Sequence, residues 1–351
     1  MTKAGIHQEN IRFLGRLDET QDPVSLDWTG SGFEVQFKGR SLWAELEATC
    51  ESPDMWVCCA VDGAPVSRFM VEPGRRFYPL VHGMDASLSR RVTLMKETQP
   101  MPHAPAANVR VHGLAHDGEL LPLPQPRLRI EFIGDSLSSA EGALAPGGNT
   151  EWISMWFSAC ANYSFYCCRE LGAERRLLSQ SGRGVYWDYT GNRAGNMADD
   201  YDTVCGVLRG PEAEARGCLK PYDFDAWPAD AVCIRLMCND SSGLNRRGNT
   251  PENRLELIQG AAAFARHVRL RNPGAYILWV LPPSDTMPEL AQRAVALCQK
   301  EGMKRISVCA LPDYRPGDMG ARNHPNALYN YRAGLILADR IRKVLGAEAN
   351  P

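Results

Sequence analysis

No stretch of this chain is apolar for long enough to read as a transmembrane span, and residues 1–9 lack the apolar core of a signal peptide. Charge of one sign is missing too. Lys and Arg number 39 against 41 Asp and Glu, and the formal net charge of −2 gives no electrostatic reason to expect nucleic acid or an anionic membrane as a partner. The twelve cysteines contain no C-x-x-C, and the nearest pairs are Cys58-Cys59 and Cys167-Cys168. Several others (Cys160, Cys205, Cys233, Cys309) sit in apolar segments, where a free thiol behaves as a small hydrophobe. Reduced thiols and a cytoplasmic location are therefore expected. Internal repeats and low-complexity runs are absent. What is present, 351 residues of which 44% are hydrophobic and 23% charged, is an ordinary globular composition with room for two domains.

The first third reads as all-β. Phe33, Val35 and Phe37 alternate with Glu34 and Gln36, and Leu42, Ala44 and Leu46 repeat the pattern. Further strand-like runs lie at 56–61, 69–71, 91–95 and 108–111, with Asp62-Gly63 as a hairpin-type turn. Short strands at this spacing predict a β-sandwich or jelly roll over 1–118. Residues 119–126, with Pro122, Pro124 and Pro126 at alternating positions, read as an extended linker. From 127 to 351 strand-like and helical runs alternate, which argues for a parallel α/β sheet. Strands are expected at 128–133, 176–178, 231–237, 275–281 and 305–308, and helices at 150–171, 251–271, 288–302 and 326–345.

The chemistry gathers at strand ends. Ile130, Phe132 and Ile133 form an apolar strand that Gly134-Asp135 breaks, so Ser136 falls where the chain should turn into a following helix. A serine there has its hydroxyl at the open edge of a sheet, beside N–H groups able to hold an oxyanion. Ser179-Gln180-Ser181-Gly182-Arg183-Gly184 follows the second strand, and a glycine there allows close backbone approach, or simply makes a turn. Asn239-Asp240 follows the third strand, where Asn239 could offer an amide to the oxyanion or merely begin a loop. His324 precedes Pro325 in a loop before the last helix, within reach of the sheet edge as a general base. The other histidine of the second half, His267, lies mid-helix. His112 and His116 read as structural or solvated, and no metal site or cofactor is expected. Tyr186, Trp187, Tyr189, Trp227 and Trp279 are the aromatic candidates for a sugar platform, although a strand-end tryptophan such as Trp279 reads equally as core.

These four blocks in this order resemble the SGNH (GDSL) hydrolase pattern over 127–351. The resemblance implies a three-layer α/β/α sandwich with Ser136 as nucleophile and His324 as base. It implies an oxyanion hole from the Ser136 N–H, Gly182 and Asn239. With a jelly roll and a proline-rich joint ahead of it, the chain resembles the two-domain carbohydrate esterases of family 2, and the block around Ser181-Gly182 is also similar to family 17 acetylmannan esterases. The implied activity is removal of acetyl groups from plant-derived oligosaccharides, manno-oligosaccharides ahead of xylo-oligosaccharides. Substrate-binding candidates are Arg183, Tyr186, Trp187, Asp240 and Trp279. The chain departs from the family pattern at Ala321, where an aspartate three residues before the histidine is usual, and at Cys238, where a glycine is expected. Asp318 is a candidate to orient His324, and a Ser-His dyad held by a main-chain carbonyl is the favoured alternative. A catalytically inactive sugar-binding protein and an acyltransferase on another ester are the rival functions. No nucleic acid or membrane partner is expected, and a homo-oligomer is left open.

Overall fold

The computed structural model describes residues 1–282, 284 and 287–346, and these separate into two compact units. The first holds residues Met1–Gln125 together with Ile153–Cys160 and Thr203–Tyr222, and the second holds the rest.

Eleven antiparallel strands build the first unit: β1 (Thr2–Gly5), β2 (Ile11–Leu14), β3 (Val24–Leu26), β4 (Gly32–Lys38), β5 (Leu42–Ala48), β6 (Met55–Val61), β7 (Ala64–Val71), β8 (Gly74–Val81), β9 (Ser89–Lys96), β10 (Val109–His116) and β11 (Glu119–Leu121). One sheet runs β1-β10-β5-β8 with β3 beside β10, and the other runs β11-β4-β9-β6-β7 with β2 beside β4. In β5 every second residue, from Leu42 to Ala48, is buried while Trp43, Glu45 and Glu47 are half-exposed. That alternation is the reason one face of the sheet makes a core. Phe33, Val35, Phe37, Val57, Cys59, Leu94 and Val111 fill it. Asp62 and Gly63, at φ 50° and 80°, make the expected tight turn between β6 and β7. His112 pairs with Glu47 at 2.8 Å, and His116 is bonded to the Gly118 carbonyl at 2.8 Å, so both are structural.

Four expectations are corrected here. The linker begins later, because Glu119–Leu121 carries no proline and pairs with Lys38–Gln36, and the N–H-free Pro122 ends the strand. Two excursions from the later sequence belong to this unit. Cys160 is disulfide-bonded to Cys58, so not all thiols are free, and Arg68 donates to the Met155 and Phe157 carbonyls at 2.6 and 3.1 Å. Residues 203–222, with the short helix Pro211–Ala215, are held by Trp28 donating to the Val204 carbonyl at 2.7 Å and by the buried pair Arg216–Asp27 at 3.2 Å. The helix expected over 150–171 is consequently only Tyr163–Leu171, started by the Asn162 side chain capping the Ser164 N–H at 2.7 Å.

The second unit has five parallel strands: β12 (Leu128–Gly134), β13 (Ala173–Ser179), β14 (Ala231–Arg235), β15 (Tyr276–Leu281) and β16 (Ile306–Ala310), ordered β13-β12-β14-β15-β16. Its α/β/α sandwich is completed by α1 (Tyr163–Leu171), α3 (Cys238–Arg247), α4 (Pro251–Arg271), α5 (Pro288–Lys300) and α6 (Ala327–Leu345); α2 is the Pro211–Ala215 helix of the first unit. Ile130, Phe132 and Leu177 of the sheet pack with Tyr163 and Cys167 of α1 and with Ala333, Leu337 and Ile341 of α6. The order reverses at β12, whose neighbours are the next strand on one side and the third on the other. Such a reversal opens a crevice at the carboxyl ends of the strands. Register aligns those ends, since Gly134 pairs with both Ser179 and Arg235. Among the described residues, no helix is long and apolar enough to cross a membrane.

Candidate active site

Ser136 leaves β12 at that reversal. The chain then runs through successive turns rather than the expected helix, with Ser138 and Ser139 N–H donating to the Asp135 carbonyl at 3.0 Å and Glu141 N–H to that of Ser136 at 3.1 Å. Only glycine suits position 134, because a Cβ there would lie 2.0 Å from Ser138 Oγ. From the other end of the sequence, a tight turn at Ala321–Asn323 delivers His324. Its Nε2 lies 2.7 Å from Ser136 Oγ, and its Nδ1 lies 2.9 Å from the Arg322 carbonyl oxygen. A carbonyl only accepts, so Nδ1 carries the proton and Nε2 of the neutral ring faces the hydroxyl as an acceptor. Burial lowers the His324 pKa, and the Glu141 carboxylate works in the opposite direction.

Asp318 does not orient this ring. Its buried carboxylate takes the Arg332 guanidinium at 2.6 Å and the Arg315 N–H at 2.6 Å. The main-chain carbonyl fills the role instead.

Gly182 follows β13 at φ 81°, a conformation open to glycine. Among the described residues, the Ser136 and Gly182 N–H groups donate to no main-chain acceptor. Asn239 arrives in the first turn of α3, where a loop had been the alternative. β14 ends two residues earlier than expected, and Met237 at φ 104° makes the sharp entry. The Asn239 amide already donates to the Arg183 carbonyl at 2.9 Å and to Asp135 Oδ2 at 3.2 Å. It reaches an oxyanion only by sharing or exchanging one of these bonds, unlike the two main-chain donors.

All five substrate-binding candidates turn out to be committed to the framework. Asp240 is fully buried, and its carboxylate accepts the N–H groups of Val185 (2.8 Å), Tyr186 (2.7 Å) and Trp187 (2.9 Å). Burial pushes its pKa up to about 6 against the pull of those donors. The loop that carries Gly182 is thereby fastened to α3. Arg183 pairs with Asp200 at 2.6 Å. The Tyr186 hydroxyl donates to Glu256 at 2.7 Å and its ring lies where a Cβ on Gly260 of α4 would be. Trp187 and Trp279 are fully buried, and the Trp279 indole donates to the Leu236 carbonyl at 3.3 Å. The exposed ring at the site is Tyr189, 51% accessible, whose Cδ1 would lie 3.0 Å from a Cβ on Gly182. It is one of the five aromatic candidates in the second half of the sequence, with nothing there to set it apart.

Two further residues escaped sequence reasoning: Glu141, 2% exposed beside the nucleophile turn, and Arg322, whose carbonyl holds the ring. An acid five residues after a serine carries no recognisable signal. Cys58, Glu97 and Cys160 form a group of three potential metal ligands in the first unit, but both sulfurs are spent in the disulfide.

A hydroxyl against an acceptor nitrogen, with main-chain donors alongside, suits attack on an ester carbonyl. Over a β13-β12-β14 switch, this fold and site define a serine carboxylic-ester hydrolase of the SGNH fold. The description "Carbohydrate esterase 2 N-terminal" matches residues 13–124. Over 98% of its length the chain is similar to a solved acetyl xylan esterase, Est2A, from the rumen bacterium Butyrivibrio proteoclasticus, with 30% identity, 98% of that chain covered and a TM-score of 0.93. It is also 26% identical over 96% of its length to the cellulase/esterase CelE of Acetivibrio thermocellus, and spans 40% of that protein's length. An acetylxylan esterase / glucomannan deacetylase of Cellvibrio japonicus is 22% identical over 87% of this chain and 82% of its own. The chain belongs to carbohydrate esterase family 2.

Proposed function

We propose that this chain removes O-acetyl groups from plant-derived oligosaccharides through an acetyl-serine intermediate, using Ser136 and His324 without a carboxylate third member. The observation that carries the reading is the 2.7 Å approach of His324 Nε2 to Ser136 Oγ, with Nδ1 already anchored. Nε2 takes the hydroxyl proton as Oγ attacks the acetyl carbon. The oxygen that gains charge faces the N–H groups of Ser136 and Gly182, with Asn239 joining by loosening one of its bonds. One such donor is worth about 3 kcal/mol in the transition state. As the acyl C–O bond breaks, the imidazolium gives its proton to the departing sugar oxygen. Water, deprotonated by the same nitrogen, then releases acetate.

The names of relatives support acetylated xylan and glucomannan fragments as the substrate class. Our reading puts manno-oligosaccharides first and xylo-oligosaccharides next. Tyr189 supplies the exposed ring on which a sugar can lie beside Gly182. The test is acetate release from both acetylated oligosaccharides side by side, with Ser136→Ala as the blank. Release that vanishes in the variant supports the esterase, and the ratio orders the substrates. No release from either by folded protein overturns the reading.

A further inference from the structure

We infer that Glu141 is a positioning residue for this reaction: one buried carboxylate that braces the His324 turn and the Gly182 loop together through Arg322 and Ser181. The inference rests on the reading of His324 as the base. Glu141 lies 2% exposed in the turn after β12, five residues past Ser136. Its Oε1 is 2.7 Å from Nε of Arg322. Among the described residues no N–H is aimed at that oxygen, so the contact is an ion pair rather than a directed hydrogen bond. Oε2 accepts the hydroxyl of Ser181, the residue before Gly182.

Arg322 needs such a brace. It and Asn323 sit at φ 54° and 56°, a left-handed pair that residues with side chains adopt at a cost and that persists only where surrounding contacts over-determine it. The left-handed turn aims the Arg322 carbonyl at Nδ1 of His324. The Arg322 N–H is tied to the Asn149 carbonyl at 2.6 Å, and the Ala321 N–H to the Gly142 carbonyl at 3.1 Å. Gly142 itself, at φ 69°, would put a Cβ 2.5 Å from the Ala321 carbonyl oxygen. The two turns therefore meet backbone to backbone, and Glu141 supplies the side-chain contact that fixes the guanidinium. A buried carboxylate is unfavourable unless it is paired, which argues that both of its partners are needed.

The charges acting on the His324 ring are Glu141, from the turn after β12, and Arg322, from its own turn. They have opposite signs, and that gives a test a merely structural role would not pass. The His324 pKa is measured by histidine-ring NMR in the full chain, assigned with His324→Asn, alongside kcat and KM for acetate release. Glu141→Gln keeps the shape and a Ser181 acceptor but removes the charge. It is expected to lower the His324 pKa and cut kcat by about tenfold or more, with KM changed less. Arg322→Gln, at a side chain 42% exposed and so tolerant of change, is expected to raise the pKa while also cutting kcat. Should Glu141→Gln fail to fold, the Arg322 variant alone decides. Unmoved pKa values with wild-type kcat overturn the inference. Opposite pKa shifts in a protein that releases no acetate uphold the brace and overturn the esterase instead.

Discussion

The carbonyl oxygen of Arg322 accepts the Nδ1–H of His324 at 2.9 Å, the bond that an orienting carboxylate makes in a Ser-His-Asp triad, while the residue three before this histidine is Ala321. Removal of an orienting aspartate from a triad of this kind lowers kcat by about 10⁴. Asp318, facing Arg332 instead, should behave otherwise. Asp318→Asn is expected to keep kcat within about threefold while lowering the melting temperature, because breaking a buried ion pair costs about 3 kcal/mol. A hundredfold fall in kcat with unchanged stability would return Asp318 to the site.

The same ring sets the pH profile. Burial lowers the His324 pKa from its ordinary 6.5, and only the neutral imidazole can take the serine proton. Activity is therefore expected to hold into mildly acid solution and to fall along a single acid limb below pH 6.5. A kcat/KM profile whose acid limb lies above 7 would contradict this.

Much of this site is legible in sequence because each block is local. Gly134-Asp135-Ser136, Gly182, Asn239 and His324 each follow a recognisable strand or precede a recognisable helix, and the rule for parallel sheets sends those ends to one edge. What the sequence conceals is direction. Nothing in the run from Ile277 to Leu281 tells whether Trp279 faces core or crevice, and the fully buried indole shows that packing decided it. Asp240 looks like a ligand contact for the opposite reason, since a charged residue at a strand end is expected to meet solvent. Its three N–H partners lie more than fifty residues upstream and cannot be foreseen. The same holds for Cys58 and Cys160, separated by 102 residues, and for the 153–160 segment whose helical expectation dissolved into the β unit.

Asp240 carries a prediction of its own. Its folded-state pKa of about 6 lies above the 3.8 of an ordinary aspartate, so the folded protein holds this proton more tightly than the unfolded chain does. The resulting stability is fully present below pH 3.8 and is lost as pH rises through about 6, by roughly 3 kcal/mol at 1.4 kcal/mol per unit. Melting temperature measured from pH 4 to 7 should therefore fall more steeply in wild type than in Asp240→Asn. Parallel curves would remove the assignment. Asp240→Ala, which leaves three buried N–H groups without an acceptor, should both destabilise the protein and lower kcat through the Gly182 loop.

Tyr189 separates binding from chemistry. Its backbone N–H donates to the Gly182 carbonyl at 3.0 Å, a contact that survives any side-chain change, so Tyr189→Ala should leave the Gly182 loop where it is. The ring is the part expected to meet sugar. Losing an aromatic platform worth about 1 kcal/mol beyond its area raises KM for an acetylated oligosaccharide by roughly five- to tenfold. A small aromatic acetate ester that offers no sugar ring to stack should show kcat within about twofold of wild type. Equal losses on both substrates would mean that the ring supports the loop rather than the ligand. Equal retention on both would move the sugar platform elsewhere on the crevice.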